Sequence, residues 1–431
     1  MKKAIACLLL VVCSYQTISA QIAASVAIPE NKSFSAERLQ RIDKLIQQYI
    51  DSGWIAGAVA LVTHNGHTIY YKALGYDDKE QHKKLEKDAI FRIASQTKAI
   101  TSVAIMQLYE EGRLLLDDPI SKYIPGFKNP TVLNQFNKTD SSYTTVPAKR
   151  EVTIRDLLTH TSGISYAQIG TPVGNAIYAK AGVVGGIGLL NGTSAENIER
   201  LAHLPLMHQP GEHFTYGLNT DVLGYLVEVL SGQSLAEYFR EHIFEPLGMK
   251  DSYFYLPKEK YNRLAMLHSE DKSKHVVNME PKIGINGEFY RDYPLDPDGK
   301  FYSGGGGLVS TAYDYTLFME SLMNGGMLNG KRILSAHSIR LMTQNQIGDL
   351  YVNGSRLTKF GLGFEIVTDA ASGRSTSPPG TFSWGGMFSS TYWIDPQEKI
   401  TAQFVLQQFP NSHGDIGEKF KVLVYQALQT D

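Results

Sequence analysis

The chain has 431 residues, 43% of them hydrophobic, and its 41 lysines and arginines nearly balance 43 aspartates and glutamates for a formal net charge of −2. That balance, with no basic stripe, excludes a nucleic-acid footprint, and the length suits one large domain or two interleaved lobes. The only cysteines are Cys7 and Cys13, both within the first twenty residues, so disulfide and thiol chemistry are excluded from the remainder.

Met1-Lys2-Lys3, the apolar run Ala4 to Val12 and the small-residue end Ile18-Ser19-Ala20 read as a secretory signal peptide cleaved after Ala20. No later stretch reaches the roughly eighteen apolar residues of a spanning helix. The mature chain is therefore expected to be soluble, and periplasmic or extracellular. Valine before Cys13 fits a lipoprotein signal poorly, which argues against anchoring.

From Phe34 to Ile50, apolar Leu39, Ile42, Leu45 and Ile46 recur at helical spacing, predicting an amphipathic helix. Val59, Leu61 and Thr63 then alternate up to Asn65-Gly66, a strong hairpin signal, and Ile69-Tyr70-Tyr71 return. Next comes Phe91-Arg92-Ile93-Ala94-Ser95-Gln96-Thr97-Lys98, followed by Ile100, Val103, Ala104 and Leu108 at helical spacing and by Gly112 as a stop. Residues three apart share a helix face, so the amine of Lys98 lies one turn above the hydroxyl of Ser95. Burial disfavours a charged ammonium, and an uncharged amine can take a serine proton. The helix N-terminus adds positive potential where an attacked carbonyl would gain negative charge. The arrangement suits acyl transfer.

Two plainer readings compete. Ser95 can be a helix N-cap whose lysine reaches out to water. The same spacing also recurs at Ser269-Glu270-Asp271-Lys272, in a polar run from Leu267 to His275 with no apolar helix to bury the lysine, and reads there as a solvated loop. The local pattern leaves both readings of Ser95 open.

Residues 97 to 290 are mostly helical in pattern, with long loops. Thr159-His160-Thr161-Ser162-Gly163 reads as a helix end entering a turn. Gly182-Val183-Val184-Gly185-Gly186-Ile187-Gly188 has no phosphate-loop lysine and reads as a mobile loop, a candidate part of a lid. His268, Asp271 and His275 lie in a polar stretch without an apolar frame, so no metal is expected there. Neither a Gly-x-Ser-x-Gly elbow nor a His-Glu-x-x-His zinc helix occurs. After residue 300, Phe360 to Val367, Thr381 to Trp384, Thr391 to Ile394 and Ile400 to Leu406 read as strands, and Phe420 to Leu428 as a closing helix. The fold class is α+β: an antiparallel sheet built from both chain ends, flanked by terminal helices, with a mostly helical lobe inserted. After the signal at 1–20, the domain at 21–431 divides into a sheet lobe, about 21–96 and 297–431, and a helical lobe, about 97–296. The crevice between lobes is the expected site.

Ser95 and Lys98, joined by Tyr216 in His213-Phe214-Thr215-Tyr216-Gly217-Leu218-Asn219 and by Trp384-Gly385-Gly386, make a set that resembles the serine β-lactamase and penicillin-binding-protein superfamily. Within it the chain is most similar to class C β-lactamase-type proteins and family VIII carboxylesterases. Leu114 to Pro119, Leu157 to Gly163, Asp221-Val222-Leu223-Gly224, Pro246 to Met249 and Gly304 to Thr311 resemble family landmarks in the expected order, so the likeness covers nearly the whole mature chain. It implies a β-lactamase/transpeptidase-like fold, Ser95 as acylated nucleophile and Lys98 as general base or proton relay. Tyr216 would be the hydroxyl that passes protons to the leaving group and activates the deacylating water. It also implies backbone N–H groups of Ser95 and Met387 as the oxyanion hole, with no cofactor or metal.

Two departures bear on specificity. The superfamily's Lys-Thr-Gly, which contributes to binding a β-lactam carboxylate, is Trp384-Gly385-Gly386 here, without the positive charge. The Tyr-x-Asn pattern would place asparagine at 218, where Leu218 stands, and Asn219 comes one residue late. Asn219, Trp384, Gly385 and Gly386 are the expected substrate-binding residues, and a small ester the expected substrate. A β-lactamase or a peptidase acting on D-amino-acid peptides is the alternative, and a non-catalytic binding homologue a further one.

Overall fold

The computed structural model describes residues 33–189, 192–284 and 288–429. The expected signal peptide lies outside them. The first helix, α1 (Ala36–Asp51), starts where Ser35 Oγ accepts a hydrogen bond from Arg38 N at 3.2 Å. Its buried stripe of Leu39, Ile42, Ile46, Tyr49 and Ile50 follows the predicted period.

Eight strands form the main sheet: β1 (Gly57–His64), β2 (His67–Asp78), β3 (Lys83–Lys84), β4 (Thr358–Phe360), β5 (Glu365–Val367), β6 (Phe382–Gly386), β7 (Ser390–Asp395) and β8 (Ile400–Val405). They lie in the order β4-β5-β6-β7-β8-β1-β2-β3, and every pairing is antiparallel. The expected hairpin turns at Asn65-Gly66, and β8 joins the two chain ends by placing Val405 opposite Val59.

The period of two along β8 decides what covers each face. Ile400, Ala402 and Phe404 pack with α1 and the closing helix α5 (Ile416–Tyr425). Between β3 and β4 come α2 (Thr97–Glu110), α3 (Asn219–Ser231) and α4 (Ala312–Met323). Their apolar residues share a second core with Phe382, Tyr392 and Ile394 of the sheet. The sheet is thus flanked by terminal helices on one side and by the helical middle of the chain on the other.

Local differences from the sequence reading have identifiable causes. Phe360 to Val367, expected as one strand, is a reversal between β4 and β5, with Gly363 at φ +95°. A Cβ at Gly363 would meet Ser102 Oγ at 2.2 Å, so the turn needs glycine to pass over α2. The middle of the chain also holds a hairpin, Thr131–Phe136 with Tyr143–Pro147, that was not expected there. Around the second Ser-x-x-Lys, strands His268–Glu270 and Val276–Asn278 pair, leaving Lys272 in their exposed turn. His268 is buried, and Asp271 accepts the backbone N–H groups of Ser273 and His275 at 2.8 and 2.9 Å. Among the described residues no group of three or more His, Cys, Asp and Glu is placed to hold a metal ion, and no helix is long and apolar enough to cross a membrane.

One buried carboxylate ties α4 to the loop before it. Asp314 accepts from Asp251 N at 2.6 Å and from Ser252 Oγ at 3.0 Å. Burial, the largest influence, pushes its carboxyl up to about 6. The folded state therefore holds this proton more tightly than the unfolded chain does. The stabilisation that results is complete below pH 4 or so and disappears as pH rises through about 6. Asp314→Asn does not titrate, so its stability relative to the parent should improve by about 2–3 kcal/mol between pH 4 and pH 7.5 in urea melts; a difference that stays constant with pH contradicts this.

Candidate active site

The stretch carrying Ser95 is clamped from several elements. Strand Phe91–Arg92 pairs with Val309–Ser310 and feeds a single 3₁₀ turn, Ala94–Gln96, that runs straight into α2. Ile93 N donates to Leu308 O at 3.1 Å, and Leu308 N donates to Thr97 Oγ1 at 3.2 Å. From α4, Tyr315 Oη donates to Gln96 O at 3.0 Å, while Gln403 of β8 donates to Gln96 Oε1 at 3.0 Å. Ala94 sits at φ +44°, a left-handed conformation that costs a non-glycine residue roughly 1–2 kcal/mol. The clamp sustains that strain, and it leaves Ser95 half-buried at a cavity wall.

Lys98 is 2% exposed. Its Nζ donates to Gly305 O at 2.6 Å, to Tyr166 Oη at 2.8 Å and to Ser95 Oγ at 3.3 Å. The amine therefore does not reach water, and the N-cap reading of Ser95 with a solvated lysine gives way to a buried pair. Tyr216 Oη donates to the same Ser95 Oγ at 2.7 Å, and Trp384 Nε1 donates to Tyr216 Oη at 3.4 Å. The Tyr216 ring lies 5.4 Å from that of Trp384 and 4.7 Å from Lys98 Nζ. Ser95, Lys98, Tyr216 and Trp384 are thus brought into one hydrogen-bonded group from the 3₁₀ turn, α2, the loop before α3, and β6.

Asn219 stands apart from this group. It is fully buried behind Tyr216, where its amide donates to His160 Nδ1 at 2.9 Å and its carbonyl oxygen accepts from Ser162 Oγ. The expectation that Asn219 binds substrate is corrected on that ground, because both ends of its amide are committed inside the protein. The donating amide makes Nδ1 of His160 an acceptor, consistent with a neutral ring. Burial first, and Lys98 second, hold the His160 imidazole well below its ordinary range. The His160 ring lies 4.9 Å from that of Tyr216. Thr159 to Gly163 is a turn, as read, and it also backs Tyr216.

Two residues given no role from sequence complete the surroundings. The Tyr166 hydroxyl is the second acceptor on Lys98, and burial keeps it well above the ordinary tyrosine range. Nothing in its local sequence separates it from the other tyrosines among 24. Asp221, in the first turn of α3, accepts from Ser303 Oγ at 2.5 Å and from Gly305 N at 3.3 Å.

The strand β6 passes directly over the Ser95 turn. A Cβ on Gly386 would lie 2.6 Å from Ile93 O, whereas one on Gly385 would meet nothing closer than Ser390 O at 3.0 Å. Gly386 thus permits the close approach that brings Met387 to the wall of the cavity shared with Ser95. Tyr166, Val184, Ile187 and Phe289 also line this cavity; among the described residues no lysine or arginine does, and neither Tyr216 nor Trp384 borders it. The described part of the glycine-rich loop, up to residue 189, forms a hydrogen-bonded wall of this cavity. Asn197 holds both peptide groups of Val184, at 2.9 and 3.1 Å, and Tyr290 N donates to Gly188 O at 2.9 Å.

A buried lysine and a tyrosine converging on one serine, on a sheet flanked by helices, define a serine-hydrolase class of protein. The family model for beta-lactamase matches residues 42–426, and the chain belongs to that family. Esterase EstB of Burkholderia gladioli is 30% identical over 374 residues, covering 84% of this chain and 88% of EstB. Lovastatin esterase of Penicillium rubens is 30% identical over 395 residues, covering 87% and 94%. Among solved structures, EstCE1, described as a hydrolase with promiscuous acyltransferase activity, is 28% identical and superposes with a TM-score of 0.78 over 90% of this chain and 99% of its own.

The unequal room at the two glycines yields a paired prediction. Gly386→Ala must push β6 away from Ile93 and should lower hydrolytic kcat/KM by at least about tenfold, because misplacing a reacting geometry by a fraction of an ångström is costly. Gly385→Ala should be several-fold milder. Equal losses in the two variants, measured with one chromogenic substrate, would contradict this assignment of the close approach.

Proposed function

We propose that the protein hydrolyses small esters through an acyl-enzyme on Ser95, with Lys98 and Tyr216 carrying the protons. The observation that carries this reading is the convergence on Ser95 Oγ of Tyr216 Oη at 2.7 Å and Lys98 Nζ at 3.3 Å. Ser95 Oγ attacks the ester carbonyl carbon and its proton passes into the Lys98–Tyr216 pair. The backbone N–H groups of Ser95 and Met387 receive the oxyanion. As the bond to the alcohol oxygen breaks, that oxygen takes the proton from Tyr216 and leaves as the free alcohol. Water then attacks the acyl-enzyme, releasing the acid and returning a proton to Ser95.

The surroundings favour an ester over a β-lactam or a D-amino-acid peptide. Such substrates carry a carboxylate, and among the described residues no lysine or arginine lines the cavity, while Trp384 braces Tyr216 where the superfamily holds its Lys-Thr-Gly. The names of EstB and lovastatin esterase agree with this reading. The leading segment, residues 1–20, supports export to the periplasm or beyond.

The lining of the cavity also supports a direction for the substrate. The leaving alcohol must depart toward its proton donor, Tyr216, which does not border the cavity. The acyl group therefore lies against Val184, Ile187 and Phe289, a wall that accepts a hydrocarbon chain and rejects a charge.

Two measurements test the function. On purified protein with Ser95→Ala as blank, kcat/KM for p-nitrophenyl butyrate should exceed that for nitrocefin by at least about a hundredfold, some 2.7 kcal/mol of transition-state discrimination; comparable efficiencies would make β-lactam hydrolysis the better description. Across p-nitrophenyl esters of increasing acyl length, Ile187→Trp should move the optimum to shorter chains. A uniform loss at every length would place the acyl group elsewhere.

A further inference from the structure

Asp221 is a carboxylate with no part in the steps above, yet it is only 3% exposed and is joined to Lys98 through the Gly305 peptide. Its Oδ1 accepts from Ser303 Oγ at 2.5 Å and from Gly305 N at 3.3 Å, while Oδ2 has no hydrogen-bond partner among the described residues. Glycines make room for it. A Cβ at Gly305 would lie 2.2 Å from Oδ2, and one at Gly186 would lie 3.0 Å from Oδ1. The same Gly305 that donates its N–H to Asp221 accepts Lys98 Nζ on its carbonyl at 2.6 Å. A half-satisfied buried carboxylate is costly unless a cation faces it. Burial pushes the Asp221 carboxyl above its ordinary range, and the attraction of Lys98 is the first influence that draws it back.

The other titratable groups facing the pair are Tyr166, Tyr216 and His160. None is a carboxylate, so among the described residues facing the pair Asp221 is the acidic group. The three acceptors around Nζ match the three N–H groups of an ammonium, and the 2.6 Å contact has the length of a charge-assisted hydrogen bond.

We propose that Asp221 is a positioning residue whose buried carboxylate, bound to the same Gly305 peptide that accepts Lys98, holds the lysine amine aimed at Ser95. The inference rests on the proposed role of Ser95, and the two can fail separately.

The test is the pH dependence of the rate at which a fluorophosphonate labels the protein, in the parent and in Asp221→Asn, which keeps the shape and the acceptor for Ser303. Taking away a negative charge lets the coupled Ser95–Lys98–Tyr216 cluster give up its proton more readily. The acid limb should move about one pH unit lower, raising the labelling rate on the limb about tenfold relative to the plateau. A merely structural role would lower the rate at every pH and leave the limb in place, which overturns the proposal. Should Asp221→Asn fail to fold, Ser303→Ala removes the shortest hydrogen bond to the carboxylate and should move the limb in the same direction by a smaller step; an unmoved limb there overturns it as well. Absence of labelling in the parent, or labelling that survives Ser95→Ala, would instead defeat the underlying assignment of Ser95.

Discussion

A lysine amine shut away from water, where a helix from the middle of the chain meets a sheet built from both ends, is the constraint to which the rest of this structure answers. Desolvating an amine that carries charge costs several kcal/mol, and hydrogen bonds involving a charged group return about 1.5–3 kcal/mol each. Lys98 can be kept only where several acceptors converge. Gly305, Tyr166 and Ser95 supply them from three separate stretches of chain. Each must be held in place by others, which accounts for the clamps on the Ser95 turn from Leu308, Tyr315 and Gln403. The sheet, α2 and α4 form one frame around a few polar atoms.

Substrate preference under this account follows from what surrounds that frame. On one side Tyr216 is braced by Trp384 and His160, a polar ledge suited to passing protons to a departing alcohol. On the other, Val184, Ile187 and Phe289 offer hydrocarbon without charge. Trp384 shows how one position can change its work. A lysine there would reach toward a carboxylate, whereas the indole packs against Tyr216 and steadies its hydroxyl. Gly386 lets the strand pass close by, since a Cβ there would collide with the backbone of Ile93.

Much of this was legible in the sequence, for reasons that differ residue by residue. The α1 stripe and the Asn65-Gly66 hairpin obey local periodicity, which needs no knowledge of distant partners. Ser95 and Lys98 share a helix face through their spacing, and the apolar run after them announces burial. Tyr216 and Trp384 emerged through resemblance to a family. Tyr166 and Asp221 act through contacts spanning 68 and 82 residues, to Lys98 and Ser303, and such closure leaves no local mark. Asn219 misled because a side chain at the first turn of a helix can face either the cleft or the core. Its neighbours Ser162 and His160 drew it inward. The glycine-rich stretch gave no sign of its partners, because Asn197 and Tyr290, which bond Val184 and Gly188, lie outside it in sequence.

The central claim is that the hydroxyl of Ser95 becomes acylated, and the most direct test is to catch the acyl group there. The purified protein can be mixed with p-nitrophenyl pivalate, whose hindered acyl group leaves slowly, quenched in acid, digested and weighed peptide by peptide. The account predicts one pivaloyl group per chain, carried on the peptide containing Ser95 and formed in step with a burst of p-nitrophenol. Hydrolysis of the ester with no modified peptide, or with the acyl group on another residue, would contradict it.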